Sequence, residues 1–197
     1  MGISLRMPTA VTQNQADFKN AVLVFTLVGG ITAVALGFAG GLVSRSPARG
    51  MIVGFSALVV GGFVASGASL ALVPLFYRHY VPDTNDLLTP TLIHGGIWAA
   101  IAAVSGLAFG IGMRNWRVLP ATIGGACLGA IVAAVLFHLL SAGLFAASGS
   151  TEPLAGSSPL RLLAMLLLTV GVAAGAARGA GAGRGSSLPS AGGSLTA

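Results

Sequence analysis

The chain has 197 residues, of which 55% are hydrophobic and only 7% are charged, and its mean hydropathy is +0.92. A soluble domain carries about a quarter charged residues and a disordered chain is still more polar, so both classes are excluded for most of the length. The formal net charge of +6 does not predict nucleic-acid binding, because the basic residues stand singly or in pairs between apolar stretches, as membrane topology signals do.

Five apolar stretches are long enough to cross a bilayer, which takes about 20 residues of helix. We predict an all-α integral membrane bundle of two glycine-rich hairpins plus one helix, with residues 1–20 as an N-terminal tail. The Gly/Ser-rich C-terminus, 178–197, is predicted to be disordered, because it offers little apolar surface to bury. The predicted spans are 21–43, 51–76, 91–112, 119–147 and 159–177, within a transmembrane domain of 21–177.

The first span has an alternative interpretation. Ala33, Val34 and Ala35 form an A-x-A site after a plausible signal-peptide core, and cleavage there would remove most of the first helix.

Prolines mark several helix boundaries. Thr89-Pro90 and Ser158-Pro159 each place a capping hydroxyl before a proline that can occupy the first helical position, and Pro120 opens the fourth span in the same way. Pro74 lies near the end of the second span, where we expect the helix to kink or stop.

Basic residues in the loops predict the orientation of the chain. Six arginines fall on one side and four basic residues on the other, which favours an outside N-terminus and an inside C-terminus. The excess of Arg over Lys suggests a GC-rich bacterial genome and hence a bacterial inner membrane. The inner set is Arg45, Arg49, Arg114, Arg117, Arg178 and Arg184; the outer set is Arg6, Lys19, Arg78 and Arg161.

A faint internal repeat divides the chain into hairpins. Residues 26–31 resemble residues 91–97 with one insertion, and each segment leads into a small-residue helix, an arginine-bearing turn and another glycine-rich helix. The prediction is a pair of related hairpins with the fifth helix added. Chance similarity in a chain rich in Gly, Ala, Leu and Val is the alternative.

Small residues recur every four positions in each span, which places them on one stripe of each helix. Such stripes let helix backbones approach closely and gain dispersion contacts that lipid cannot supply. We interpret them as packing surfaces, either inside the bundle or between subunits. Their glycines are Gly37, Gly41, Gly61, Gly106, Gly110, Gly125, Gly129, Gly171 and Gly175.

Two histidines lie inside the spans, His94 in the third and His138 in the fourth. Titratable groups at depth cost free energy and are candidates for function, for example as axial haem ligands. Counting 1.5 Å per residue from the predicted outer boundaries puts His94 about 5 Å and His138 about 13 Å deep, which does not suit joint ligation. The alternatives are an interfacial His94 that bonds to water or head groups, and a His138, opposite Gly129 on the helical wheel, that bonds to a Ser or Thr of another helix. No bound cofactor is therefore predicted.

Other candidates have simpler interpretations. His79, Asp83 and Asp86 could form a weak divalent-cation site, but the loop that holds the two aspartates has the composition of a turn, and no metal site is predicted. Cys127 alone can form neither a disulfide nor a zinc site within one chain, so we expect it to be a packing residue. Trp98 is expected in the bundle core or in the wall of a pocket.

Three functions remain open. No acidic residue or lysine lies inside a span, and the chain has no nucleotide-binding, metalloprotease or serine-hydrolase motif, so we expect a protein that is not an enzyme. The first hypothesis is a structural or accessory component that packs through its small-residue faces against a membrane-protein partner or another copy of itself. The second is a channel or carrier for a neutral or lipophilic solute, with a pocket around His94, Trp98 and Ser105. The third is a histidine-liganded cofactor protein.

Overall fold

The computed structural model describes residues 10–79, 87–144 and 157–185. Within these ranges it contains five α-helices and no strand, and each helix includes a segment long and apolar enough to cross a membrane. The predicted all-α bundle is confirmed, and the chain is a multi-pass membrane protein. The helices are α1 (Ala10–Val43), α2 (Pro47–His79), α3 (Leu88–Gly112), α4 (Leu119–Leu144) and α5 (Ser158–Gly185).

The helices extend beyond the apolar spans. Helix α1 begins at Ala10 rather than at residue 21, and α2 continues past Pro74 to His79 instead of stopping there. Backbone hydrogen bonding within a helix does not end where the apolar residues end, so hydropathy alone sets the boundaries too narrowly. Residues 145–147 of the fourth predicted span lie outside the described residues.

The prediction of disorder from residue 178 was wrong for residues 178–185, which are helical. Gly179 packs against the backbone of Ala121, and a Cβ built on Gly183 would lie 3.0 Å from a methyl carbon of Val118. The last turns of α5 therefore rest closely on the start of α4, and this contact supplies the packing that composition does not reveal. Residues 186–197 lie outside the described part of the chain.

Close contacts between glycines join two pairs of antiparallel helices. A Cβ built on Gly37 would lie 2.9 Å from the Cα of Gly54, and one built on Gly171 would lie 2.6 Å from the carbonyl oxygen of Gly129. Side chains at these positions would force the backbones apart, so the glycines set the spacing of the helices. The facing pairs are Gly37 with Gly54 and Gly41 with Gly50 between α1 and α2, and Gly125 with Gly175 and Gly129 with Gly171 between α4 and α5.

Helix α3 lies at the centre of the bundle. Its apolar segment is 61% buried, against 22% for those of α2 and α5, and it contacts α1, α2 and α4. It meets α4 through Gly106 and Gly110, which face Thr122 and Leu119, and it meets α1 through Gly112. The packing therefore places α3 between an α1–α2 pair and an α4–α5 pair, whereas the repeat in the sequence grouped α3 with α4.

Two turns at the same end of the bundle share a backbone feature. Arg45 after α1 and Arg114 after α3 both have φ of 57°, and each is the second residue beyond its helix. The turns also touch, because the Ser44 hydroxyl donates to the carbonyl oxygen of Gly112 at 3.0 Å. The duplication itself stays a prediction, and these matching turns are consistent with it.

Candidate functional site

The two intramembrane histidines meet at one end of the bundle. We call this the N-terminal end, since α1, α3 and α5 begin there. His138 Nε2 lies 3.2 Å from His94 Nδ1, and the two side chains are only 3% and 4% exposed. The two histidines therefore lie at the same depth, whereas the sequence placed His138 deeper than His94. The difference arises because α3 begins at Leu88, before the predicted boundary, and the described part of α4 ends at Leu144.

The hydrogen bond of His94 to the main chain determines which of its own nitrogens carries the proton. His94 Nδ1 lies 3.0 Å from the carbonyl oxygen of Pro90, one turn earlier in α3. A carbonyl can only accept, so Nδ1 of His94 is the donor in this bond. His138 Nε2 lies beside the same nitrogen.

Four rings form what we call the aromatic cluster: His94, Trp98, Phe137 and His138. The His94 ring centroid lies 6.1 Å from that of Trp98 and 5.8 Å from that of Phe137, both in edge-to-face arrangements. Trp98 and Phe137 are themselves 5.8 Å apart. Trp98 follows His94 by one helical turn and Phe137 precedes His138 directly, so two short segments bring all four rings together.

Two buried nitrogens in this cluster have no hydrogen-bond partner among the described residues. They are Trp98 Nε1 and His138 Nδ1, both on side chains that are at least 97% buried. Leaving a buried donor unpaired costs about 1–3 kcal/mol, so each such group calls for an explanation. An indole nitrogen always carries its proton, so the matching partner of Trp98 Nε1 is a hydrogen-bond acceptor.

A small cavity of about 30 Å³ opens beside the cluster. It lies among α1, α3, α4 and α5, at a place where α1 and α5 make few contacts with each other. We call it the α1–α5 cleft. Its lining consists of Val24, Phe25 and Val28 from α1, His94 and Trp98 from α3, Phe137 from α4, and Arg161, Ala164, Met165 and Leu168 from α5.

The predicted pocket around His94, Trp98 and Ser105 is present in part. His94 and Trp98 line the cleft, whereas the Ser105 hydroxyl is buried and donates to the carbonyl oxygen of Ile101 at 2.8 Å. The other eight lining residues were not assigned to a site from the sequence, Phe137 and Arg161 among them. The adjacency of Phe137 to His138 was a signal for the first; Arg161 gave none beyond its charge near a helix start.

The small-residue stripes are engaged within the chain. Each of the nine glycines named from the sequence stands so close to a neighbouring helix that an added Cβ would come within 3.0 Å of it. Gly129 faces α5 while His138, on the other side of α4, faces α3. The internal-packing interpretation accounts for all these glycines without a second subunit.

The remaining candidates are dispersed. The His79 ring is exposed and its Nδ1 lies 3.0 Å from the carbonyl oxygen of Leu75, while Asp83 and Asp86 lie outside the described residues. Cys127 Sγ lies 3.6 Å from the carbonyl oxygen of Ala99, as expected of a packing residue. Among the described residues, no three His, Cys, Asp or Glu side chains are grouped to hold a metal ion.

The geometry does not suit a haem held by both histidines. The iron of such a group lies between the two imidazoles, with the porphyrin plane separating them. Here the rings contact each other directly at 3.2 Å, and the adjoining cleft of about 30 Å³ is far smaller than a porphyrin.

Comparisons with protein-family models, with curated proteins and with solved structures find no match to this chain.

Proposed function

We propose that this protein binds a small or lipophilic solute in the α1–α5 cleft, as a membrane channel or carrier for that solute and not as an enzyme. The observation that carries the proposal is the pairing of a cleft with buried polar groups: Trp98 Nε1 has no partner among the described residues, and Trp98 lines the cleft. Polar groups inside a membrane span cost free energy and are functional candidates by default.

The position of the cleft favours a solute that comes from the bilayer. Val24 and Val28 line one side and Met165 and Leu168 the other, and few contacts between α1 and α5 close the gap between them. Apolar walls with a small number of polar groups are the usual composition of a ligand pocket. A lipophilic solute would bury its apolar surface against these walls, and a hydrogen bond to Trp98 would orient it.

Native mass spectrometry of the protein purified from its own membrane in mild detergent tests this proposal. We expect the wild-type chain to retain a small adduct and Ala164→Leu to lose it, because Ala164 lines the cleft and a leucine there fills a space of about 30 Å³. Ala174→Leu is the matched control, since Ala174 is an exposed residue of the same helix outside the cleft lining.

Equal retention of the adduct by all three proteins would locate its binding elsewhere and contradict the proposal. A bare wild-type chain in every preparation, together with no solute flux in liposomes, would contradict it as well.

An accessory role is a second candidate, favoured by a separate groove. A cavity of about 340 Å³ lies on the surface between α1 and α2, where the small residues Thr26, Gly30, Gly62 and Ser66 lie among larger apolar side chains. Such a groove suits a transmembrane helix of a partner protein, which would pack on small residues. We expect Gly62→Leu to lose a stoichiometric partner that co-purifies with the wild type; purification of both without any partner would contradict this role.

The proposed location is a bacterial inner membrane with the N-terminus outside. Arg45, Arg114 and Arg117 are exposed at the end of the bundle opposite the cleft, and the excess of basic residues at that end supports its assignment to the cytoplasm. The substitution Arg114→Cys, made in a Cys127→Ala background, should react with a membrane-impermeant maleimide only after cell lysis. Labelling in intact cells would contradict the proposed orientation and indicate an inside N-terminus.

A further inference from the structure

We infer that the solute of the α1–α5 cleft is a lipophilic carboxylic acid, whose carboxyl group lies between Trp98 and Arg161 and whose alkyl chain leaves the bundle between α1 and α5. This inference rests on the proposed function and names the chemical class of its ligand.

The size of the cleft limits the head group. About 10–15 Å³ of such space holds one water molecule, so the cavity of about 30 Å³ accepts about two or three groups of that size. A carboxylate has three heavy atoms and fits this space. A sugar, a nucleotide base or a phosphate with its glycerol exceeds it several-fold.

The polar groups around the cleft select an acceptor. Trp98 Nε1–H can only donate, and no described residue accepts from it. His94 Nδ1–H is engaged by the carbonyl oxygen of Pro90. A ligand with an oxygen acceptor would supply the partner that Trp98 Nε1–H lacks.

Arg161 gives the preference for a charged acceptor. It stands in the first turn of α5 and lines the same cleft as Trp98. A guanidinium group has five donors and pairs with a carboxylate through short, charge-assisted hydrogen bonds, which are about twice as strong as neutral ones. An ester or an alcohol of the same chain length would forgo this contribution.

The walls of the cleft accommodate the alkyl chain. Met165 and Leu168 follow Arg161 along α5 by one and two turns, and they face Val24 and Val28 of α1. The lining thus changes from cationic at the helix start to aliphatic deeper in the bundle. This order matches an amphiphile with an anionic head and an apolar chain.

The chain has two tryptophans, which permits a single-site fluorescence test. Trp116 is 69% exposed in the turn at the opposite end, so Trp116→Phe leaves Trp98 as the only tryptophan reporter. The purified Trp116→Phe protein in detergent is titrated with 2-bromododecanoic acid, whose bromine quenches fluorescence next to the carboxyl group, and with 12-bromododecanoic acid, whose bromine lies at the far end. The matched control is Trp98→Phe, which reports on Trp116 alone.

We expect saturable quenching of Trp98 by the 2-bromo acid, weaker quenching by the 12-bromo acid, and recovery of fluorescence on adding unbrominated dodecanoic acid. Trp116 should show only the unsaturable quenching of a detergent-exposed ring. Arg161→Gln should weaken dodecanoic acid binding by about tenfold, the effect of losing one charge-assisted hydrogen bond, while Arg161→Lys should retain part of the affinity.

The failures are distinguishable. If dodecanol and methyl dodecanoate reverse the quenching as effectively as dodecanoic acid, the cleft binds lipophilic solutes but does not select a carboxylate, and the inference is wrong while the proposed function stands. If neither bromo acid quenches Trp98 saturably and no competitor restores its fluorescence, the inference is overturned; the proposed function falls with it only when native mass spectrometry also finds no adduct that Ala164→Leu removes.

Discussion

The two ends of the bundle are packed by different residues. At the end opposite the cleft, Gly41 and Gly50 bring the backbones of α1 and α2 into contact, and Gly125 and Gly175 do the same for α4 and α5. At the N-terminal end, Trp98 and Phe137 fill the interior instead, and α1 and α5 are left with few mutual contacts.

This difference in packing indicates that one end contributes mainly to stability and that the other offers space for a ligand. Glycine contacts between backbones have no side chains that can move aside, so they fix the helix positions and leave no space for a ligand. Large rings do not fill the space between the helices completely, and here they leave a cleft lined by Trp98, whose Nε1–H has no partner among the described residues. One end therefore fixes the helix positions, and the other contains the proposed binding site.

The largest expected effect comes from breaking the glycine contacts. In Gly129→Leu, the new side chain would meet the backbone of Gly171, and neither helix can yield without separating the pair. We expect a loss of about 3 kcal/mol in unfolding free energy, the upper end of overpacking costs, seen as a lower thermal midpoint in detergent. The control is Gly124→Leu, because a Cβ at Gly124 meets nothing within 4 Å. Equal midpoints for the two variants would refute the role of the glycine contacts.

The histidine pair is tested by a double-mutant cycle. His94→Leu removes the ring nitrogen that contacts His138 Nε2 and leaves that buried nitrogen without this partner, which should cost about 2 kcal/mol in denaturation experiments. His94→Leu with His138→Leu should cost less than the sum of the two single changes, since no polar atom of the pair is left unpaired. The exposed His79, changed to Leu, serves as the neutral reference. Strictly additive losses would mean that the two rings do not interact.

A smaller effect is expected at the turns of the opposite end. Ser44→Ala removes the hydroxyl that donates to the carbonyl oxygens of Gly41 and Gly112, and so loosens the contact between the first and third turns. The loss should be about 1 kcal/mol, the usual net value of one hydrogen bond. Ser56→Ala, at an exposed position on α2, should leave the thermal midpoint unchanged. A neutral Ser44→Ala would show that these turns are held by backbone contacts alone.

The smallest effect has the opposite sign. Arg45 has a φ of 57°, a conformation that costs a non-glycine residue free energy, so Arg45→Gly should raise stability by about 0.5 kcal/mol. Arg49→Gly removes the same charge from within α2 and should lower stability by up to about 1 kcal/mol. An equal loss of stability in both variants would show that the lost charge causes the effect, and it would contradict the backbone argument.

The architecture was predictable because each helix carries about 20 consecutive apolar residues, which only a bilayer accommodates. The glycine stripes were predictable as packing surfaces, since a spacing of four places them on one face. Which helix each stripe contacts was not predictable: Gly129 meets α5 rather than α3, and a sequence alone does not give the neighbours of a helix.

The site was predictable only as two separate histidines. Their depths were counted from span boundaries that missed the extra residues of α3, and so the rings were placed apart although they touch. The cleft depends on side chains from four helices, including Val24 and Leu168, which are distant in the chain. No local pattern in the sequence indicates where side chains from distant helices leave a space unfilled.

The most direct test of the central claim is nitrogen-15 NMR of protein labelled only at histidine, recorded before and after addition of dodecanoic acid. With three histidines in the chain, each can be assigned by a single substitution. The account predicts that His94 holds one fixed neutral tautomer, protonated at Nδ1, and that the ligand shifts the resonances of His94 and His138 while those of exposed His79 stay unchanged. Tautomer averaging at all three rings, with no response to the ligand, would contradict both the buried pair and the binding site beside it.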